Sequence, residues 1–174
     1  MGNLVHGTEG TAGQLFGPPP FRFVPRQDPL RARAFSMPFR FVATLLVFGI
    51  EVWMYTLWQA GQLAPAGLST SAALGWPLAA LAVMLYTWWQ IITSRTTLTG
   101  VTLHQSWIWD KKVELRELAY AKLIRVPGLD WLIAPRLYVR TLLGKFAVFY
   151  AADAAMLAEF ERMIFELKAF RGFR

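Results

Sequence analysis

The sequence predicts a membrane α + β protein. A two-helix transmembrane hairpin is followed by a small antiparallel β module, and one amphipathic helix closes the chain. Three observations carry this expectation. Charged residues make up 17% of the 174 residues and apolar residues 55%, whereas soluble domains run at about a quarter charged. Between Phe41 and Ser94, Glu51 is the sole Asp, Glu, Lys or Arg. After Arg95 the apolar residues alternate with polar ones, and after Asp153 they recur at helical spacing. The boundaries that follow are an arm over 1–36, the hairpin over 37–94 and the module over 95–174.

Two apolar runs occupy this charge-poor region, FRFVATLLVFGIEVWMYTL over 39–57 and AALGWPLAALAVMLYTWWQII over 72–92. Each approaches the ~20 residues that cross a hydrocarbon core at ~1.5 Å per residue. Neither has the polar stripe of a soluble surface helix. The segment between them, WQAGQLAPAGLSTS, reads as a short loop. Arg22, Arg26, Arg31, Arg33 and Arg40 precede the first run, Arg95, Lys111 and Lys112 follow the second, and the loop has no base. The bias of basic residues toward the cytoplasm then places both termini inside and the loop outside, a multi-pass topology. Trp53, Trp58 and Trp76 toward the outer end, with Trp88 and Trp89 at the inner end, match the aromatic belts of the two interfaces. Gly75, Ala79 and Ala82 form a small-residue stripe that would admit a close helix neighbour.

The arm is rich in Gly and Pro, and Gly17-Pro18-Pro19-Pro20 favours extended backbone. Its opening residues lack a basic segment followed by an apolar run, so the first helix is the expected insertion signal. His6 stands where an N-myristoylation motif wants Ser or Thr. The arm's composition reads by default as a disordered cytoplasmic tail; if the arm is ordered, an extended segment cannot order itself, and a partner protein is the simplest holder. Phe16, Phe21 and Phe23 would be the anchors, with Arg22 and Arg26 near lipid headgroups.

Alternation in the module predicts strands near 96–99, 101–109, 111–117, 122–126, 137–142 and 145–151. Gly100, Asp110, Pro127-Gly128 and Gly144-Lys145 punctuate them as turns. Asp153 is a helix N-cap before AAMLAEFERMIFELKAF. Met156, Phe160, Met163, Ile164 and Leu167 share one face of that helix, and Glu159, Glu161, Arg162, Glu166 and Lys168 lie largely on the other.

A strand opening T-L-T-G-V-T-L directly after a membrane helix, a meander, and then F-A-V-F-Y-A-A-D before an amphipathic helix resemble the bacterial pleckstrin-homology-like (PH-like) domain. The resemblance covers about residues 95–170. It implies a curved sheet forming a small barrel with the C-terminal helix plugging one end, commonly placed after a transmembrane hairpin. Relatives in that family include assembly factors for bacterial photosynthetic complexes. Phosphoinositide binding, as in some eukaryotic members, would use clustered bases on the first hairpin, but Leu98-Thr99-Gly100-Val101 has none. Lys111 and Lys112 stand at the next turn and read as a solvated tip near anionic lipid.

The chemistry is narrowly bounded. The absence of Cys removes disulfides, thiolate metal sites and Cys nucleophiles, and two histidines, His6 and His104, cannot build a multi-His cluster. Neither helix carries a His to ligate haem or chlorophyll. His104 and Ser106 have no orienting acid beside them in sequence, which argues against a nucleophile. No enzyme activity, metal or cofactor is expected. The net charge of +7 is spread over the segments that flank the helices, so no nucleic-acid partner is needed to explain it. Glu51 lies 11 positions beyond Arg40, about 16 Å into the bilayer. A carboxyl group at that depth flags function or a partner. Tyr86 or Thr87 of the second helix, or another subunit, would hydrogen-bond it, and a lone acid makes a poor proton relay.

Together these readings predict a non-catalytic accessory or assembly subunit of a larger membrane complex, with photosynthetic and respiratory complexes as the specific candidates. The alternative is a stand-alone membrane-anchored module that binds lipid or peptide. The partners expected are other integral membrane subunits and lipids with anionic headgroups. The contact residues expected are Glu51, Phe21, Arg22, Arg26, Lys111 and Lys112.

Overall fold

The structure, a computed structural model, describes residues 20–62 and 70–172. The expectations placed on His6, Phe16, Gly17-Pro18-Pro19, the loop around Ala66 and the side chain of Trp76 lie outside the described residues.

The first element among the described residues is a strand that the sequence had not predicted. Strand β1, Leu30–Arg33, belongs to the arm and pairs antiparallel with β2, Arg95–Leu98, with Leu30 opposite Leu98 and Arg33 opposite Arg95. Helices α1, Met37–Gln59, and α2, Thr70–Thr93, lie between these two strands in sequence. The helical hairpin is thus a long insertion into a β-hairpin. The amide of Ala34 donates to the carbonyl of Ser94 at 3.2 Å and continues the ladder up to the feet of both helices.

Local chemistry explains both helices. Ser36 caps α1 by accepting from the amide of Phe39, and Pro38 sits in the first turn, where its missing N–H costs nothing. The helices pack antiparallel along one stripe. Val47 is buried there, the indole of Trp88 donates to Thr44 Oγ1 at 3.0 Å, and Phe48 meets Trp88 edge-on at 5.5 Å. Leu45, Leu46, Val52 and Val83 face outward, exposed. Helix α1 is long and apolar enough to cross a membrane, whereas the described apolar part of α2, Pro77–Thr93, falls short of that length. The expectation of two full-length spans is therefore met by one candidate span and a shorter apolar partner. Gly75, Ala79 and Ala82 are exposed, so the small-residue stripe points away from α1.

The module has two sheets. Strands β1, β2, β3 (Thr102–Ser106) and β4 (Lys111–Glu114) form the first in that order, and β5 (Leu118–Ile124), β6 (Arg136–Thr141) and β7 (Phe146–Tyr150) form the second. A 3₁₀ turn over Leu115–Glu117 joins them. Helix α3, Ala154–Arg171, covers the core. Asp153 caps it as expected, accepting from the amides of Ala155 and Met156. Met156, Phe160, Met163 and Leu167 are buried against Leu98, Leu103, Leu137 and Phe149.

Three corrections follow. The barrel implied by the resemblance does not close, because no backbone ladder joins the two sheets among the described residues. The backbone of β7 instead meets side chains of the first sheet. Thr96 Oγ1 donates to the carbonyl of Tyr150, Gln105 Oε1 accepts from its amide at 3.2 Å, and Lys111 Nζ donates to the carbonyl of Val148 at 3.3 Å. Groups that would have bonded another strand are satisfied without one. Next, the described part of the arm, from Pro20 on, has its holder within the chain. Phe21 and Phe23 are buried in the module core, so they are not free to anchor a partner protein. Finally, Glu159, assigned to the outer face of α3, is 5% exposed. It is held there by Arg162 at 2.7 Å, with the more distant Arg26 at 3.7 Å.

Candidate functional site

The six residues singled out from sequence separate into three places. Phe21, Arg22 and Arg26 lie on the strap that runs over α3. The side chains of this strap alternate, with Phe21, Phe23 and Pro25 in and Arg22, Val24 and Arg26 out. The guanidinium of Arg162 lies 4.7 Å over the Phe23 ring and donates to the carbonyl of Val24. Asp28 Oδ2 then accepts from the amide of Gly100 at 3.0 Å. The first turn of the module therefore has a carboxylate from the arm where a phosphate-binding hairpin would present free amides. A Cβ on Gly100 would stand 3.2 Å from that same oxygen, which is why a residue without a side chain suits the position.

Glu51 occupies the second place. It projects from α1 into a groove of about 340 Å³ lined by Met54, Tyr55, Trp58, Pro77, Leu78 and Leu81. Its Oε1 is buried and has no hydrogen-bond partner among the described residues. Neither expected donor reaches it. The hydroxyl of Thr87 donates to the carbonyl of Val83 at 2.8 Å, and that of Tyr86 accepts from Gln90 at 2.8 Å. Both bonds stay within α2, the Thr87 one in the way of a mid-helix Thr that bonds the carbonyl one turn back.

Lys111 and Lys112 occupy the third place, and both are strand residues rather than a hairpin tip. Lys112 is exposed and opposite His104 in register. Lys111 turns inward, 5.2 Å from the Trp107 ring and 5.9 Å from that of Tyr150, and burial pushes its ammonium below the usual lysine value. Those rings belong to an aromatic cluster at the foot of the helices. Phe35 stacks on Phe39 at 5.3 Å and meets Tyr150 at 5.5 Å and Trp107 at 6.1 Å. Sequence reasoning missed this cluster. Its only signal was aromatic residues at the ends of predicted strands, and their convergence depends on β1, β3 and β7 ending at one edge.

The connection from β5 to β6 leans on the same region, where Ser36 Oγ donates to the carbonyl of Leu132 at 2.6 Å. It leaves Trp131 and Leu129 exposed beside the start of α1. The sequence-stretch expectation for His104 also needs amending, since Asp110 lies 3.9 Å from its Nε2. Ser106 Oγ is occupied with the backbone of Arg95, accepting from its amide at 3.1 Å. No group of three or more metal-ligating side chains converges among the described residues. Comparison of the chain with protein-family models, curated proteins and solved structures finds no match. The class defined by fold and site is a module of two antiparallel sheets carrying an apolar helix pair, one member of which can cross a membrane.

Proposed function

We propose that this protein is a non-catalytic accessory subunit that docks on another integral membrane protein, with its helix pair in the bilayer and its module on the cytoplasmic face. The carrying observation is the unpartnered, buried Oε1 of Glu51 in a groove that is otherwise apolar. A buried acceptor without a donor costs about 1–3 kcal/mol. In hydrocarbon no water makes up the loss. A helix of a partner subunit that brings a donor into the groove removes this cost and covers the apolar lining.

The topology supports a two-span hairpin. The ends of α1 and α2 meet at the hydrogen bond between Ala34 and Ser94, so a chain that crosses along α1 must return along α2 to reach β2. Arg33, Arg40 and Arg95 gather at that end, which favours the cytoplasmic side. The meander and closing helix support the PH-like resemblance, with unclosed sheets as the departure from it. Assembly on a photosynthetic or respiratory complex is the role that this resemblance suggests.

Purification in mild detergent tests the reading. A stoichiometric set of larger subunits is expected with the wild-type chain. Glu51→Gln keeps the hydrogen-bonding capacity and should retain them. Glu51→Leu should weaken retention by about 1 kcal/mol, the usual scale for polar contacts between membrane helices. A lone monomer or homo-oligomer refutes the subunit reading. An assembled but inactive complex with Glu51→Gln would give Glu51 a proton-transfer role and refute the non-catalytic one.

A further inference from the structure

The aromatic cluster at the foot of the helices encloses a cavity that the docking role does not use. It measures about 220 Å³ and is lined by Phe35, Phe39, Ile91, Trp107, Ile133 and Tyr150, with Ala134 and Arg136 completing the wall. Phe39 lies in the first turn of α1 and Ile91 in the last turn of α2. On the membrane-anchored reading given above, on which this inference rests, the cavity sits at the level where acyl chains give way to headgroups.

Arg136 and Trp107 in the wall, and Lys111 beside it against the Trp107 and Tyr150 rings, all favour an anion. The guanidinium of Arg136 lies 5.6 Å from the Tyr150 ring, and Lys111 is poised over Trp107 and Tyr150. Neither cation has an ion-pair partner among the described residues, and no acidic side chain lines the cavity. Lys111 Nζ gives one hydrogen bond to the carbonyl of Val148 and has two donors left. The indole Nε1 of Trp107 is buried with no acceptor. A buried donor of this kind is ordinarily satisfied, and indole N–H groups at membrane interfaces usually find a partner. A largely apolar lining with Arg136 and Trp107 in it and Lys111 beside it matches an amphiphile carrying a negative, oxygen-rich head.

We propose that this cavity binds one anionic phospholipid, with part of an acyl chain against Phe39, Ile91 and Ile133 and the phosphate oxygens at Arg136, Lys111 and Trp107 Nε1. A zwitterionic lipid offers the same phosphate but brings its own cation to a site that already holds two. Free phosphate leaves the apolar wall uncovered. The exposed Trp131 and Leu129 of the adjoining connection extend the apolar surface toward the bilayer.

The test uses the full chain in a non-ionic detergent, with phosphatidylglycerol or chain-matched phosphatidylcholine added, and native mass spectrometry to count retained lipid. One phosphatidylglycerol per chain is expected, with phosphatidylcholine held about tenfold more weakly, the scale of one to two basic groups facing an anionic headgroup. Arg136→Gln should lower phosphatidylglycerol occupancy about fivefold, the scale of a single basic group. Trp107→Phe keeps an aromatic ring and removes the N–H with part of the indole, and a loss of occupancy at an unchanged melting temperature cannot come from misfolding. Lys168→Gln, on the exposed side of α3, should leave occupancy unchanged. Equal retention of the two lipids overturns the proposal. So does full phosphatidylglycerol occupancy in both Arg136→Gln and Trp107→Phe, or displacement of the lipid by inorganic phosphate alone. Carbonate extraction separates the two readings. Release of the protein from membranes defeats the anchored reading itself, whereas an integral protein without lipid preference defeats this inference only.

Discussion

Phe23→Ala distinguishes an arm that belongs to the module from one that waits for a partner. Phe23 is 1% exposed, sits in the same cluster as Leu98, Phe149 and Phe160, and carries Arg162 over its ring at 4.7 Å. Truncating a buried Phe to Ala costs about 3–5 kcal/mol, because the transfer energy is lost and the cavity only partly collapses. The stacked guanidinium adds about 0.5–1 kcal/mol at a partly exposed site. The sum, about 3.5–6 kcal/mol, is a large share of the ~5–15 kcal/mol that keeps a domain folded. For a module of this size each kcal/mol shifts the melting temperature by ~4–8 °C, so a fall of at least about 15 °C is expected. Near-UV circular dichroism of the isolated protein in mild detergent reads this directly, since tertiary packing of aromatics is what the substitution loosens. Arg22→Ala, one residue away and exposed, is the control and should move the midpoint by about 4 °C or less, as surface changes usually stay within ~0.5 kcal/mol. A Phe23→Ala midpoint indistinguishable from that control would refute the placement of the arm in the core. It would restore the expectation that Phe21 and Phe23 anchor an external protein.

Two further outcomes follow from the same structure. A reporter fused after Arg174 should lie in the cytoplasm and one inserted near Ala66 in the periplasm, and the reverse pattern would remove the cytoplasmic module. Burial holds the folded Lys111 below its unfolded value, so in the alkaline window between the two the unfolded chain binds more protons and stability rises with pH. Melting temperatures measured as pH approaches about 10.4 should show that rise in the wild type and lack it in Lys111→Met; equal slopes would refute the inward placement of Lys111.

Features governed by near neighbours were legible in the sequence. The gap in charge around Glu51 located α1 to within two residues at each end, because the helix must satisfy its own backbone and clothe itself in apolar side chains. Asp153 and the spacing of Met156, Phe160, Met163 and Leu167 located α3 and its buried face, since capping and helical periodicity act over one or two turns. The module strands were found through their alternation, with ends displaced by a few residues. Glu51 stood out because an acid in an apolar run is conspicuous, but its surroundings were not readable, as they depend on which face of α2 it meets.

Tertiary structure alone decided the rest, and in each case the deciding contact joins residues far apart in the chain. Leu30–Arg33 has little intrinsic strand signal and becomes β1 because β2 offers it an unpaired edge across the whole helical insertion. That pairing draws Phe21 and Phe23 into the core, where the same apolar side chains could otherwise have read as docking anchors. Glu159 goes inside because Arg162, with Arg26 beyond it, compensates its charge, which periodicity on α3 cannot register. The barrel stays open because Thr96, Gln105 and Lys111 satisfy the backbone of β7 from the side, and hydrophobic alternation is the same whether a strand's edge meets another strand or a set of side chains.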